Sequence, residues 1–398
     1  QNFLRHQADC GKLTGWRDEF FCLWAQATCP PSLETLPWLC VERAGFRHLG
    51  MMSHAVHIHG FLPQGELWCG RRSDHKATDP GLLDNLAAEV VLVEGLNPTT
   101  LSKSCKGDDD LVHIRQVMEQ DGAALCEFFA WFEANLGREV ITELTVDEQL
   151  SAARARRPDF VSLSFSTIAA FNGNGAMPHY RATEQSHALI EGNGLLLIDS
   201  GGQYLGGTTD ITRMVPVGNP SQAQKQDCTR VLKGMIALSR ATFPRGVLSP
   251  LLDAIARAPI WADQVDYGHG TGHGVGYFMN VHEGPQVIAY QAAPAPQTAM
   301  QAGMISSIEP GTYRPGQWGV RIENLVVNRE AGRSAFGDFL QFETLTLCPI
   351  DTRCLLPELL TKEEVEWLNG YHARVRERLA PLLQGDALAW LEVRTAPL

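Results

Sequence analysis

An α+β fold with largely antiparallel strands is what this sequence predicts, on three observations. Helix-period and strand-like runs mix without the regular alternation of a βαβ chain. The strand-like runs end at turn residues, including two Gly-Gly pairs in the SGGQYLGGTT stretch between Asp199 and Asp210. No short-period repeat is present that would argue for a solenoid.

The elements follow in chain order. Residues 1–88 read poorly as one unit. Cys29-Pro30-Pro31 breaks the chain, and only 54–61 and 66–69 look like the two strands of a hairpin. His57 and His59 share one face of the first. With no Cys or carboxylate at ligand spacing, a half-exposed strand is favoured there over a metal site. Asp108, Asp109 and Asp110 then sit where a helix start favours negative charge. Leu111, Ile114, Val117, Met118, Leu125, Phe128, Phe129 and Phe132 follow at helical spacing until Gly137 stops the run. Thr145-x-x-Glu148 predicts a capping box for a second helix ending near Pro158. Asn219-Pro220 predicts a third, with Pro at its first position. Thr361-x-x-Glu364 caps a fourth, which presents Val365, Leu368, Val375, Leu379 and Leu382 for packing. Strands are expected over 194–199, 211–217, 303–309, 320–327 and 342–347.

Composition bounds the function. The 398 residues allow two or three domains. With 44% hydrophobic and 20% charged residues, wholesale disorder is excluded. No run approaches the ~18 apolar residues a membrane span needs. The opening QNFLRHQADCGKL lacks the pattern of a signal peptide. A net charge of −12 opposes a nucleic-acid partner. The ten cysteines contain no C-x-x-C pair, so a reduced, cytoplasmic chain is expected.

Chemistry concentrates in five residues. Asp199 closes an apolar run, and the glycine-rich stretch after it lets Asp210 face it across paired strands. Glu309 precedes the Pro310-Gly311 turn, and Glu323 lies in GVRIENLVV, where it shares a strand face with Arg321. Two like charges ~4 Å apart repel by about 4 kcal/mol at an effective dielectric near 20. Four buried carboxylates therefore need cations. His273, in Tyr267-Gly-His-Gly-Thr-Gly-His273, supplies a neutral ligand. Such an oxygen-rich set with one imidazole suits manganese, or cobalt, over a thiolate-type zinc site. Singly, each Asp could be a turn cap and the His structural. The order and context of all five favour a dinuclear site.

The segments Asp199-x10-Asp210-Ile-Thr-Arg, Gly268-His269-Gly-Thr-Gly-His273, Val281-His282-Glu283-Gly284-Pro285, Ile308-Glu309-Pro310-Gly311 and Val320-Arg321-Ile322-Glu323-Asn324 resemble the pita-bread metallopeptidases. Within them the likeness is to aminopeptidase P (Xaa-Pro aminopeptidase), in its long three-domain branch, and covers about residues 91–398. It implies a creatinase/aminopeptidase-like catalytic domain over 107–345, with curved antiparallel sheets covered by helices, and a helical C-terminal extension over 346–398. It implies two divalent ions, manganese first and cobalt or zinc as alternatives. Asp199 would chelate one, Asp210 and Glu323 would bridge both, and His273 and Glu309 would complete the other shell. Glu309 would also move the proton between water and the leaving nitrogen. His179 and His282 would be catalytic and touch substrate. His269 would line the proline pocket, with Arg321 and Tyr313 in support.

The implied reaction is hydrolysis of the N-terminal Xaa-Pro bond by a hydroxide bridging both ions, in a cytoplasmic homodimer that acts on peptides with proline second. A prolidase-like dipeptidase, or a catalytically impaired fusion or binding protein on the same fold, are the alternatives. The likeness changes at the front. Residues 89–106 resemble the end of a preceding domain. Residues 41–88 resemble the N-terminal part of a Nudix-type hydrolase without its Nudix box, so 1–88 is expected to be a small α/β fragment.

Overall fold

The computed structural model describes residues 98–398 and, earlier in the chain, an antiparallel pair, β1 (Phe20–Leu23) and β2 (Leu39–Glu42). The runs 54–61 and 66–69, and what remains of the Nudix-like stretch, lie outside the described residues. Two units divide at Thr99 and Thr100, within the expected linker. The first contains β1 and β2.

The second unit holds the other elements, apart from the first two residues of its opening helix. α1 (Pro98–Ser104), α2 (Asp108–Asn135) and α3 (Glu143–Ala155) precede β3 (Phe160–Leu163) and β4 (Ile168–Phe171). β5 (Gly194–Ser200), β6 (Gly202–Tyr204), β7 (Gly207–Thr208) and β8 (Ile211–Val217) follow. α4 (Gln222–Ser239), β9 (Thr242–Pro244), α5 (Asp253–Trp261), β10 (Gly272–His273) and β11 (Val287–Ile288) lead to β12 (Ile305–Ile308). β13 (Gly311–Arg314), β14 (Trp318–Arg321), β15 (Asn324–Ser334) and β16 (Gly337–Thr344) complete the strands, and α6 (Lys362–Leu379) and α7 (Gly385–Arg394) end the chain. The pairings among these strands are antiparallel, in sheets ordered β4-β5-β8, β12-β15-β16-β9 and β3-β6-β7 and the hairpins β10-β11 and β13-β14. The mixed, antiparallel α+β class is as expected.

β5 explains the packing. Its seven residues are all buried, so it reads as a continuous apolar run rather than an alternating one. Leu195 and Leu197 join a cluster with Val231, Leu232 and Met235 of α4. Leu196 and Ile198 face the other way, into a cluster with Phe128 and Phe132 of α2 and Val146 and Leu150 of α3. The sheet is thus held between helices on both faces. The C-terminal segment shares the first of these cores through Leu347, Ile350, Leu368, Val375 and Leu391. Among the described residues, no helix is long and apolar enough to cross a membrane.

Three local expectations are corrected. The capping box of α3 is Thr142 with Thr145, not Thr145 with Glu148. The Thr142 hydroxyl accepts from the Thr145 N–H at 3.2 Å, and Thr145 Oγ1 accepts from the Thr142 N–H at 3.3 Å. Starting the helix here puts Glu143 in its first turn, where its carboxylate accepts the Phe171 and Ala188 N–H groups. α4 is capped by Ser221, whose side chain exchanges hydrogen bonds with Gln224, and Pro220 lies before the cap. The strand expected over 320–327 breaks at Ile322 and Glu323. α5 was not anticipated, because Pro259 inside it reads as a helix breaker.

His372 on α6 is buried and accepts a hydrogen bond from the Ile350 N–H through Nε2 at 3.1 Å. Burial, with the nearby Arg213 charge, pushes its pKa down to about 4. An unfolded histidine takes a proton below about pH 6.5. Between these two values the unfolded chain binds the extra proton, so this group's contribution to stability is complete above pH 6.5 and is lost as pH falls toward 4. Acidification from about pH 7.5 to about pH 5 should therefore cost about 2 kcal/mol through this residue. Urea unfolding of wild type and His372→Gln at the two pH values checks it. The variant, which retains an acceptor, should lose about 2 kcal/mol less than wild type on acidification.

Candidate metal centre

Each of the five expected ligands lies at a strand end. Asp199 is in the last turn of the pleat of β5, and Asp210 immediately precedes β8. The two strands pair with Asp199 opposite Thr212. The tight start of the hairpin depends on Gly201, where a Cβ would lie 2.0 Å from the Thr209 carbonyl oxygen. His273 is on β10, which runs close to β12. A Cβ on Gly272 would lie 2.0 Å from the Ser307 carbonyl oxygen, so only glycine permits the approach. Glu309 follows β12 and is fixed by its N–H donating to the Thr271 carbonyl at 2.7 Å. Glu323 sits in the break between β14 and β15, its N–H donating to the Thr212 carbonyl at 3.2 Å.

All five line one cavity of about 420 Å³, together with His179, His269, His282 and Arg321. His273 Nε2 lies 3.5 Å from Asp210 Oδ2 and 3.3 Å from Glu309 Oε1. One ligand atom each from Asp210, His273 and Glu323 all fall within 4.8 Å of one another. The His273 tautomer is set by its other nitrogen: Nδ1 faces the Gly274 carbonyl at 3.1 Å, which can only accept. Nε2 is thereby directed at the carboxylates.

The remaining contacts orient the carboxylates. Arg321 Nη2 donates to Asp199 Oδ2 at 2.5 Å. Thr212 Oγ1 donates to Glu323 Oε2 at 2.8 Å, and Ser307 Oγ donates to Glu309 Oε1 at 2.9 Å. Thr212 and Ser307 were not singled out from the sequence. The available signal was spacing: each is two residues from a ligand, Asp210 or Glu309, a separation that returns a strand to the same face. His179 and His282 are exposed, and His269 is half-buried. The His282 ring lies 4.1 Å from that of His273, centroid to centroid. Tyr313 is not among the lining residues. Its hydroxyl joins His269 Nε2 and Arg321 Nη1, each at 2.8 Å, so it bears on the cavity through them. Phe165, Ile168, Val281 and Val287 supply an apolar part of the lining that the sequence did not reveal.

The electrostatics fit a cation. Burial pushes the Asp210 carboxyl up to about 7, with His273 pulling against it and Asp199 adding to it. Burial and the charges of Asp210, Glu309 and Asp199 hold Glu323 well above the usual carboxylate range. Burial raises Asp199 also, against Arg321. At Glu309 burial is outweighed by the hydrogen bond and charge of His273, which bring it to about 2. His273 itself is raised, because its bonds to Asp210 and Glu309 overcome burial. The cavity therefore favours positive charge between these oxygens, and a divalent ion provides it more fully than a proton does. Two buried carboxylate oxygens, Asp199 Oδ1 and Glu323 Oε1, accept no hydrogen bond. Such atoms are costly without a partner. Hard carboxylate oxygens with one imidazole are a donor set for a divalent ion.

Comparison with known proteins agrees with this chemistry. Residues 112–330 match metallopeptidase family M24, and residues 338–398 match the C-terminal region of peptidase M24. Xaa-Pro aminopeptidase 1 of Dictyostelium discoideum is 40% identical over 316 residues, 77% of this chain and 50% of that protein. The X-prolyl aminopeptidase of Caenorhabditis elegans, described as a cytosolic enzyme with a di-nuclear active site, is similar in structure with a TM-score of 0.71. It is 37% identical, and the match covers 76% of this chain and 50% of that one. The Xaa-Pro dipeptidase of Bacillus anthracis is similar at a TM-score of 0.53 and 27% identity, covering 64% of each chain. The chain spans about half the length of the curated relatives it matches. The architecture is the pita-bread fold of these neighbours. The matched stretch runs from α2 to β15 and takes in all five converging donors, and on that evidence the chain belongs to metallopeptidase family M24.

Proposed function

We propose that this chain is a metal-dependent aminopeptidase that hydrolyses the bond between the first residue of a peptide and a proline in second position. The observation that carries the reading is the convergence of Asp199, Asp210, His273, Glu309 and Glu323 on one cavity that also admits three further histidines. The likeness to Xaa-Pro aminopeptidases supports the same substrate class. In this reading the five side chains would hold two divalent cations, manganese first. Cations held there would supply Lewis acidity: a more acidic water and a sink for charge developing on the scissile carbonyl.

The protein groups do the rest. Glu309 would take the proton of the attacking water at its carboxylate and pass it to the leaving nitrogen. Like any amide nitrogen, the proline nitrogen must gain a proton to leave, and because it carries no hydrogen in the peptide it offers ordinary peptidases no hydrogen-bond handle. His282, beside His273, donates to the scissile carbonyl oxygen, and His179, which lines the same cavity, contacts the substrate. His269 and the apolar lining receive the proline ring and exclude water. Arg321, fixed by Tyr313, holds Asp199 in orientation. The reading also takes the enzyme as cytoplasmic, in line with the free thiols of Cys105, Cys126, Cys228, Cys348 and Cys354 and with the cytosolic C. elegans relative, and as a homodimer by family likeness. A dipeptidase is the second reading, favoured by the likeness to the B. anthracis enzyme.

Two outcomes are expected. Manganese at about a hundredfold excess over its dissociation constant should stabilise the chelated protein by about 2.7 kcal/mol for one site, and Glu323→Gln should remove most of that gain. Urea unfolding with and without the ion measures it. Arg-Pro-Pro should release arginine after chelation only when manganese is returned, and Asp210→Ala should lower the rate by at least about 100-fold. Chromatography of the products gives the answer. Cleavage of an Xaa-Pro dipeptide with the tripeptide untouched would establish the dipeptidase instead, and no turnover with manganese, cobalt or zinc would sink both.

A further inference from the structure

Among the described residues, the most connected side chain outside the cavity is that of Arg213. It is buried, and every one of its N–H groups has an acceptor. Nη1 donates to the Glu323 carbonyl at 2.6 Å and to the Thr212 carbonyl at 3.0 Å. Nη2 meets the Tyr371 hydroxyl at 2.8 Å, Asn324 Oδ1 at 2.8 Å and the Cys348 carbonyl at 2.9 Å. Nε donates to the Pro349 carbonyl at 3.1 Å. All of these acceptors are neutral oxygens, and among the described residues no carboxylate pairs with the guanidinium.

Two sets of partners meet on this one fork. Glu323, Asn324 and Thr212 belong to the strands that carry the carboxylates, whereas Cys348, Pro349 and Tyr371 belong to the C-terminal segment. Glu323 lies in the break between β14 and β15, where no strand partner fixes its carbonyl, and Arg213 supplies that bond. Tyr371 is held in turn: its hydroxyl donates to the Cys348 or Thr346 carbonyl, at 2.8 and 3.1 Å, and its ring stacks on Trp367. A buried cation satisfied only by neutral oxygens tolerates little loss of any of them. The orientation of the fork, and with it the Glu323 backbone, therefore depends on the C-terminal segment.

We infer that Arg213, oriented by Tyr371 and the Cys348 and Pro349 carbonyls, is a positioning residue for Glu323, so that the C-terminal segment tunes how tightly the centre holds divalent cations. This rests on the reading that Asp210 and Glu323 bind such cations. Loss of a group that orients a metal ligand typically weakens metal affinity 10–100-fold.

The test is titration of manganese chloride into the chelated full chain by calorimetry, with circular dichroism to establish that each variant is folded. Tyr371→Phe keeps the stacked ring and removes only the hydroxyl, and Arg213→Lys keeps the charge and removes the fork. Each should weaken manganese binding about 10-fold or more. The double variant should bind no more weakly than Arg213→Lys alone, because both changes cut one relay. A purely structural role would lower the unfolding midpoint and leave the affinity of the folded protein unchanged. Folded single variants that bind like wild type, or effects that multiply in the double variant, overturn the inference. If Arg213→Lys does not fold, Tyr371→Phe decides by itself. Wild type that binds no manganese, with Asp210→Asn indistinguishable from it, would remove the metal-centre reading and this inference with it. Wild-type binding that is lost in Asp210→Asn but unchanged in Tyr371→Phe removes this inference alone.

Discussion

Mutual repulsion among four carboxylates in one cavity is the constraint around which this molecule is arranged. Asp199, Asp210, Glu309 and Glu323 line the same space, and burial raises three of them while His273 holds down the fourth. An apolar core would not keep such a group together. It persists because three of the carboxylates are anchored by neighbouring side chains, Asp199 by Arg321, Glu323 by Thr212 and Glu309 by Ser307, while His273 faces Asp210. What these anchors leave open are oxygens facing inward, a donor set that positive charge completes.

The anchoring works because the ligands sit on antiparallel strand ends rather than in free loops. β5 and β8 bring Asp199 and Asp210 together across one register, and β12 with β15 does the same for Glu309 and Glu323, since Ile308 pairs with Asn324. β5, β8 and β12 and the first five residues of β15 are buried, and their apolar side chains are shared among three hydrophobic clusters, so the strand ends cannot drift without disturbing the core. Glycine acts at the points of closest approach, where Gly201 and Gly272 let backbones pass without a side chain between them.

The C-terminal segment is part of this arrangement rather than an appendage. Its apolar side completes the core beneath α4, and its polar groups reach Arg213, the residue next to Thr212, whose hydroxyl anchors Glu323. Packing of a helix and orientation of a cavity carboxylate thereby share one set of hydrogen bonds.

The class of fold and the site were largely legible in the residues. Antiparallel α+β pairing could be read from Gly-rich turns and irregular alternation. Asp199, Asp210, Glu309 and Glu323 stood out as carboxylates at strand ends or on strands in apolar, glycine-rich surroundings, and His273 as the neutral ligand in a glycine-rich loop; the order and context of all five carried the reading. The start of α3 and α4 was misplaced by a few residues, since competing Thr, Ser and Pro signals are resolved only by which cap leaves Glu143 and Gln224 in reach of their partners. α5 was hidden by its proline. The break at Glu323, the hydroxyl anchors Thr212 and Ser307, the apolar lining of Phe165 and Val287, and the Arg213 junction came only with the tertiary structure. The physical reason is range: periodicity and turn chemistry act between neighbours in the chain, and a sequence displays them directly. A hydrogen bond from Arg213 to Tyr371 spans 158 positions and exists only once the chain has folded around it.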